Sequence, residues 1–148
     1  GFSSQTWMCR ETGYTFSLIA NTHEAATMSM LKSITSMFRA LQSGFAKKDW
    51  GRLEVTEAMM HGWGGIIYAV APSRAVAFSL DGWTLGNAAF LSKQRDGSYA
   101  SKTLHGFTSV GEPVKFFRKG ARIAEVSFGA FRGRTLRAYL KAARAALA

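Results

Sequence analysis

A chain of 148 residues with 47% apolar and 19% charged side chains has the make-up of one globular domain, 1–148, and excludes a disordered or fibrous chain. Its single cysteine, Cys9, excludes an intrachain disulfide, and no apolar run reaches the ~18 residues that a membrane-spanning helix needs. The net charge of +10 is concentrated: residues 1–114 hold ten Lys/Arg against eight Asp/Glu, whereas residues 115–148 hold nine against Glu125 alone.

The chain begins at Gly1 and not at a methionine, and residues 1–5 show neither a basic nor an apolar targeting segment. That pattern predicts a soluble chain with a processed or trimmed N-terminus and leaves its compartment open.

Residues 12–20 (TGYTFSLIA) alternate, with Tyr14, Phe16 and Leu18 on one face, and predict a first strand. Asn21 followed three residues later by Glu24 is a helix start, because the carboxylate can return to the cap's N–H. Leu31, Ile34, Phe38, Leu41 and Phe45 then step by three and four, the stripe of a long amphipathic helix. Gly44 stands where a C-terminal glycine is expected. Residues 52–61 (RLEVTEAMMH) predict a short second helix that stops at Gly62.

Residues 64–80 (GGIIYAVAPSRAVAFSL) contain two apolar runs around Pro72-Ser73 and predict paired buried strands. Ile66, Tyr68 and Val70 point one way, and Ile67, Ala69 and Ala71 the other. Both faces are apolar, so this strand is expected to be covered on both sides. Further hairpins are expected over 85–92 with 98–107, and over 114–118 with 121–128 through Lys119-Gly120. The last helix runs from about Arg134. Its apolar stripe is Leu136, Leu140, Ala143 and Leu147, and its basic stripe is Arg134, Arg137, Lys141 and Arg144. At 100° per residue the two stripes are centred roughly 110° apart. One side is therefore expected to dock on the sheet while the flank presents the cations.

The expected fold class is α+β. It comprises an N-terminal strand, a long and a short helix, an antiparallel meander of about six strands, and a C-terminal helix packed on the sheet. This element order resembles the helical-grip architecture of the START and Bet v 1-like proteins, although no motif accompanies it. The resemblance implies a curved sheet wrapped around a terminal helix, and with it a cavity for a small lipophilic ligand.

Three constellations could carry chemistry. If residues 52–61 are helical, Glu54, Glu57 and His61 share a face with metal-ligand spacing. The alternative is a solvated helix face with His61 at its end. Cys9 with His23, His61 or His105 could pair a thiol with a base; a lone cysteine beside Trp7 and Met8 is otherwise a small buried side chain. No phosphate-cradling, nucleophile-elbow or zinc-protease motif occurs, so no catalytic residue, metal or cofactor is expected.

The basic set is the third: Lys115, Arg118, Lys119, Arg122, Arg132, Arg134, Arg137, Lys141 and Arg144, interleaved with Phe116, Phe117, Phe128, Phe131 and Tyr139. Cations with almost no acidic neighbours attract polyanions. The expectation is a non-enzymatic, basic binding or structural protein. Its C-terminal face would contact nucleic acid or an acidic protein surface, as one subunit of a larger assembly. The alternatives are the helical-grip carrier and a small basic nuclease-like enzyme using His105 or His61.

Overall fold

In a computed structural model, the structure describes residues 3–8, 10, 13, 15–20, 25–61, 64–81, 84–101 and 110–147. Asn21 and Glu24 of the expected helix start, Tyr14, Cys9, His23 and His105 lie outside the described residues, as do residues 102–107 of the strand expected over 98–107.

The chain opens with a hairpin of β1 (Ser3–Met8) and β2 (Thr15–Ala20), which forms a two-stranded sheet of its own. The long helix α1 (Ala25–Gly44) follows, then a 3-10 turn (Lys47–Arg52). Next come β3 (Glu54–Val55), β4 (Met59–His61), β5 (Gly64–Val70), β6 (Arg74–Asp81), β7 (Thr84–Lys93), β8 (Tyr99–Ser101), β9 (Val114–Lys119), β10 (Arg122–Phe128) and β11 (Phe131–Thr135). The chain closes with α2 (Leu136–Ala146).

From β4 onward each strand pairs antiparallel with the next, and β11 returns to pair with β4 through Arg134↔Met60 and Thr135↔Met59. The result is a closed, eight-stranded, up-and-down barrel. Strand β3 pairs with β5 on the edge that β4 uses further along. This overturns the expected α+β helical-grip arrangement. The sheet does not wrap a helix; it closes on itself.

The expected short helix over 52–61 is also overturned. Although its residues suit a helix, pairing wins: β4 lies between β5 and β11 and pairs with both, and closure satisfies backbone groups that an open edge would leave bare.

Among the described residues the barrel interior is filled by one cluster of buried side chains, Tyr68, Val114, Val126 and Phe128 among them, as eight strands allow. In register across β5, β6 and β7 lie Tyr68, Ala77 and Ala89, and beside them Val70, Ala75 and Leu91. The small alanines leave room for rings. Tyr68 meets Phe116 at 5.3 Å between centroids, and Phe116 meets Tyr99 at 5.2 Å, both edge-on. A chain of aromatic rings thus occupies the barrel interior, and the helical-grip cavity between a sheet and a terminal helix is not built by this fold.

The outer face of β5–β7 is apolar too, as the sequence predicts for residues 64–80. There Ala69, Val76 and Phe78 are buried beneath Leu41 of α1 and Phe45, which directly follows the helix. Trp50 of the 3-10 turn packs on Phe38 with ring centroids 5.6 Å apart. Gly44 is the last helical residue, and its role is close approach rather than a left-handed cap. A methyl group there would sit 2.5 Å from Val76 Cγ2.

The third overturned expectation is the docking of the terminal helix. Thr135 caps α2, its Oγ1 accepting from Ala138 N–H at 3.3 Å, and Leu136 N–H donates to Ala58 O at 3.0 Å. Beyond this first turn the helix leaves the barrel, and none of its residues is buried. No helix among the described residues is long and apolar enough to cross a membrane.

Candidate functional site: two cationic regions

The nine basic residues expected to form one face are divided among four places. Lys115 on β9 and Arg132 on β11 stand opposite Ser127, and Arg134 stands opposite Glu125, so these three share the outer wall. Arg132 pairs with Glu125 at 2.9 Å and lies over the exposed Phe117 ring at 5.7 Å. Lys119 and Arg122 flank the β9–β10 turn. Arg118 turns into the mouth of the barrel. Arg137, Lys141 and Arg144 line α2 and, with Leu140, frame a shallow surface hollow. Of the interleaved aromatics, Phe128 is buried and Phe116 half-buried; Phe117, Phe131 and Tyr139 are exposed.

On α2 the apolar stripe is bare alongside the basic one: Leu136 is 43%, Leu140 47% and Leu147 89% exposed. Tyr139 is exposed as well, and α2 contains no acidic residue. The helix therefore offers water an apolar stripe and a cationic stripe that normally would not both remain uncovered.

The barrel mouth at the Val70 end is built differently. An open cleft of about 360 Å³ is lined by Arg52, Glu54, Lys93, Tyr99, Phe116 and Arg118, among others. Both Glu54 oxygens are engaged. Oε1 accepts from Ile123 N–H at 3.0 Å, and Oε2 accepts from Arg118 Nη2. Arg118 Nη1 donates to Ala121 O at 2.8 Å. One carboxylate thus ties β3 to β9 and β10 at this end of the barrel. The floor is equally fixed: Tyr99 donates its hydroxyl to Ala71 O at 3.0 Å, and burial pushes its pKa up, partly offset by nearby Arg118. Sequence reasoning named Arg118 and, interleaved with the basic set, Phe116, but missed Arg52, Glu54, Lys93 and Tyr99 as their companions.

The opposite end of the barrel holds His61. Its Nε2 is 3.3 Å from the Tyr68 hydroxyl, and its ring lies 6.4 Å from both the Tyr68 and Phe128 rings. Gly133 of β11 lies against it, where a methyl group would come within 2.9 Å or less of three ring atoms. Burial holds the imidazole below its ordinary pKa and pushes the Tyr68 hydroxyl up. The grouping of Glu54, Glu57 and His61 that a helix over 52–61 would have made does not form: Glu54 serves the mouth, Glu57 is exposed, and His61 is buried. Among the described residues no group of three His, Cys, Asp or Glu side chains could hold a metal ion. His61 thus has the Tyr68 and Phe128 rings and the Tyr68 hydroxyl among its neighbours.

No protein-family model, curated protein or solved structure matches this chain.

Proposed function

We propose that the chain is a binding protein that docks on an acidic protein surface through α2, with the barrel as its rigid mount. The observation that carries this reading is the exposure of both stripes of α2 at once. Nucleic acid would engage Arg137, Lys141 and Arg144 but leave Leu136, Leu140 and Leu147 in water. A protein groove with an acidic wall covers both. The anchors Leu136, Leu140, Ala143 and Leu147 fall at i, i+4, i+7 and i+11, the spacing of a helix laid in a groove. The helix of 11 residues is ~16 Å long and is fixed at its start by the Thr135 cap and the Leu136–Ala58 hydrogen bond, so little ordering remains to oppose binding.

The test places a photo-crosslinking residue at Tyr139, identifies the protein captured, and reconstitutes the pair from purified components. The reconstituted affinity is expected to fall with salt, and at least ten-fold on either Leu140→Ala or Arg137/Lys141/Arg144→Glu. A dT20 oligonucleotide and vesicles of phosphatidylcholine with 30% phosphatidylglycerol serve as competitors for the reading. Tight oligonucleotide binding that ignores Leu140→Ala would replace the protein by nucleic acid. Tight vesicle binding lost in both variants would replace it by a membrane surface.

A further inference from the structure

We propose that the barrel mouth is a second, separate binding site, for a small planar organic anion. Its base is aromatic and apolar: Tyr99 and Phe116 with Val70 close the barrel beneath it. Its rim is cationic. Arg52 comes from the 3-10 turn, Lys93 from the end of β7 and Arg118 from β9, so three elements distant in sequence bring positive charge to one cleft.

The three cations do not have the same duty. Arg118 is held by Glu54 and by the Ala121 carbonyl, and it closes the wall. Among the described residues, Arg52 and Lys93 have no carboxylate within ion-pair distance. Asp96, in the turn that carries Gly97 of the rim, directs its carboxylate at Ser98, accepting from the hydroxyl at 2.7 Å and from N–H at 3.0 Å. Glu54 offsets one of the three charges, so the cleft retains an excess of two.

A positive rim over a rigid aromatic floor selects for two properties in one molecule. The anionic group meets Arg52 and Lys93, and a flat body settles on Tyr99 and Phe116. Mouths of β-barrels are recurrent places for small ligands, and about 360 Å³ lies in the size range of such sites. An inorganic ion would use the rim and leave the floor wet. A neutral ring would use the floor and leave the cations unanswered.

The full chain is titrated calorimetrically with phenyl phosphate, benzoate, inorganic phosphate and benzyl alcohol. The tighter of phenyl phosphate and benzoate is expected to bind at least ten-fold more tightly than either inorganic phosphate or benzyl alcohol, and its identity assigns the anionic group. Lys93→Ala and Arg52→Ala, both at exposed positions, are each expected to weaken it at least three-fold. Arg137/Lys141/Arg144→Glu is expected to leave it unchanged, which separates this site from the proposed docking of α2. Inorganic phosphate binding as tightly as phenyl phosphate, or affinity that follows the α2 charges and not Lys93, would overturn the proposal, as would no measurable binding of either aromatic anion at 10 mM.

Discussion

The barrel mouth and the C-terminal helix carry three cations each, yet they use them in opposite ways. At the mouth, Arg118 is bound twice and Glu54 is bound twice, so part of the charge is built into the closure of the barrel. On α2, Arg137, Lys141 and Arg144 are exposed beside equally exposed leucines. Charge that closes a fold is paired and hydrogen-bonded, and removing it should cost stability. Charge that stands beside a bare apolar stripe should cost binding instead. The two regions can therefore be told apart by which observable a substitution moves.

The largest loss of stability should come from the barrel itself. Gly133→Ala forces a methyl group into the His61 ring, and neither β11 nor the buried imidazole has room to yield. A loss of about 3 kcal/mol is expected, or a fall of roughly 10 °C in Tm, read by thermal unfolding. Glu54→Ala is expected to cost about 2 kcal/mol in urea unfolding. It strands the Ile123 N–H and frees Arg118, but the ion pair is partly in water and adds little beyond the lost hydrogen bonds. A Glu54 variant as stable as the parent would mean that the mouth is no more structural than the helix.

How much of this was readable beforehand depends on how far each partner lies along the chain. Residues 64–80 announced their own structure, because apolar character on both faces of one strand demands cover on both sides. The 114–128 hairpin was readable from its turn. Barrel closure was not. It rests on β4, three residues with no period to detect, meeting β11, whose inward position at Gly133 carries no side chain because His61 fills that space. The mouth was hidden for the same reason. Arg118 and Glu54 are 64 positions apart, and nothing at either position points to the other. On α2 both stripes were legible, and so was the exposure of the cations, but the exposure of the leucines was not, since their spacing is the same whether they face a sheet or a partner.

An intermediate effect is expected from pH, and it belongs to the barrel side. His61 is held below its ordinary pKa of 6.5 by burial, so the unfolded chain binds a proton there more readily than the folded one. Stability should therefore be full above pH 6.5 and decline as pH falls through the interval below it, towards the folded-state pKa. Urea midpoints measured from pH 7 to pH 5 should show this decline, and His61→Gln should flatten it. Asp96 acts in a separate window. Its carboxyl is held low by the Ser98 hydroxyl and N–H, so its contribution is lost only below about pH 4.

The smallest expected effect on stability is the sharpest test of the difference between the two regions. Leu140→Asp places a carboxylate in the middle of the apolar stripe of α2. If that stripe packed on the barrel, the substitution would bury an unpaired charge and cost several kcal/mol. With Leu140 47% exposed and no residue of α2 buried, the change in urea midpoint should stay within about 0.5 kcal/mol. The same variant should lose affinity for the reconstituted partner by more than Leu140→Ala does, because it adds a negative charge to a helix surface that has none. A large destabilisation would return α2 to the barrel and leave its cations as a solvated surface. Unchanged stability with lost binding would make the leucines, and not only the arginines, the part of this helix that recognises its partner.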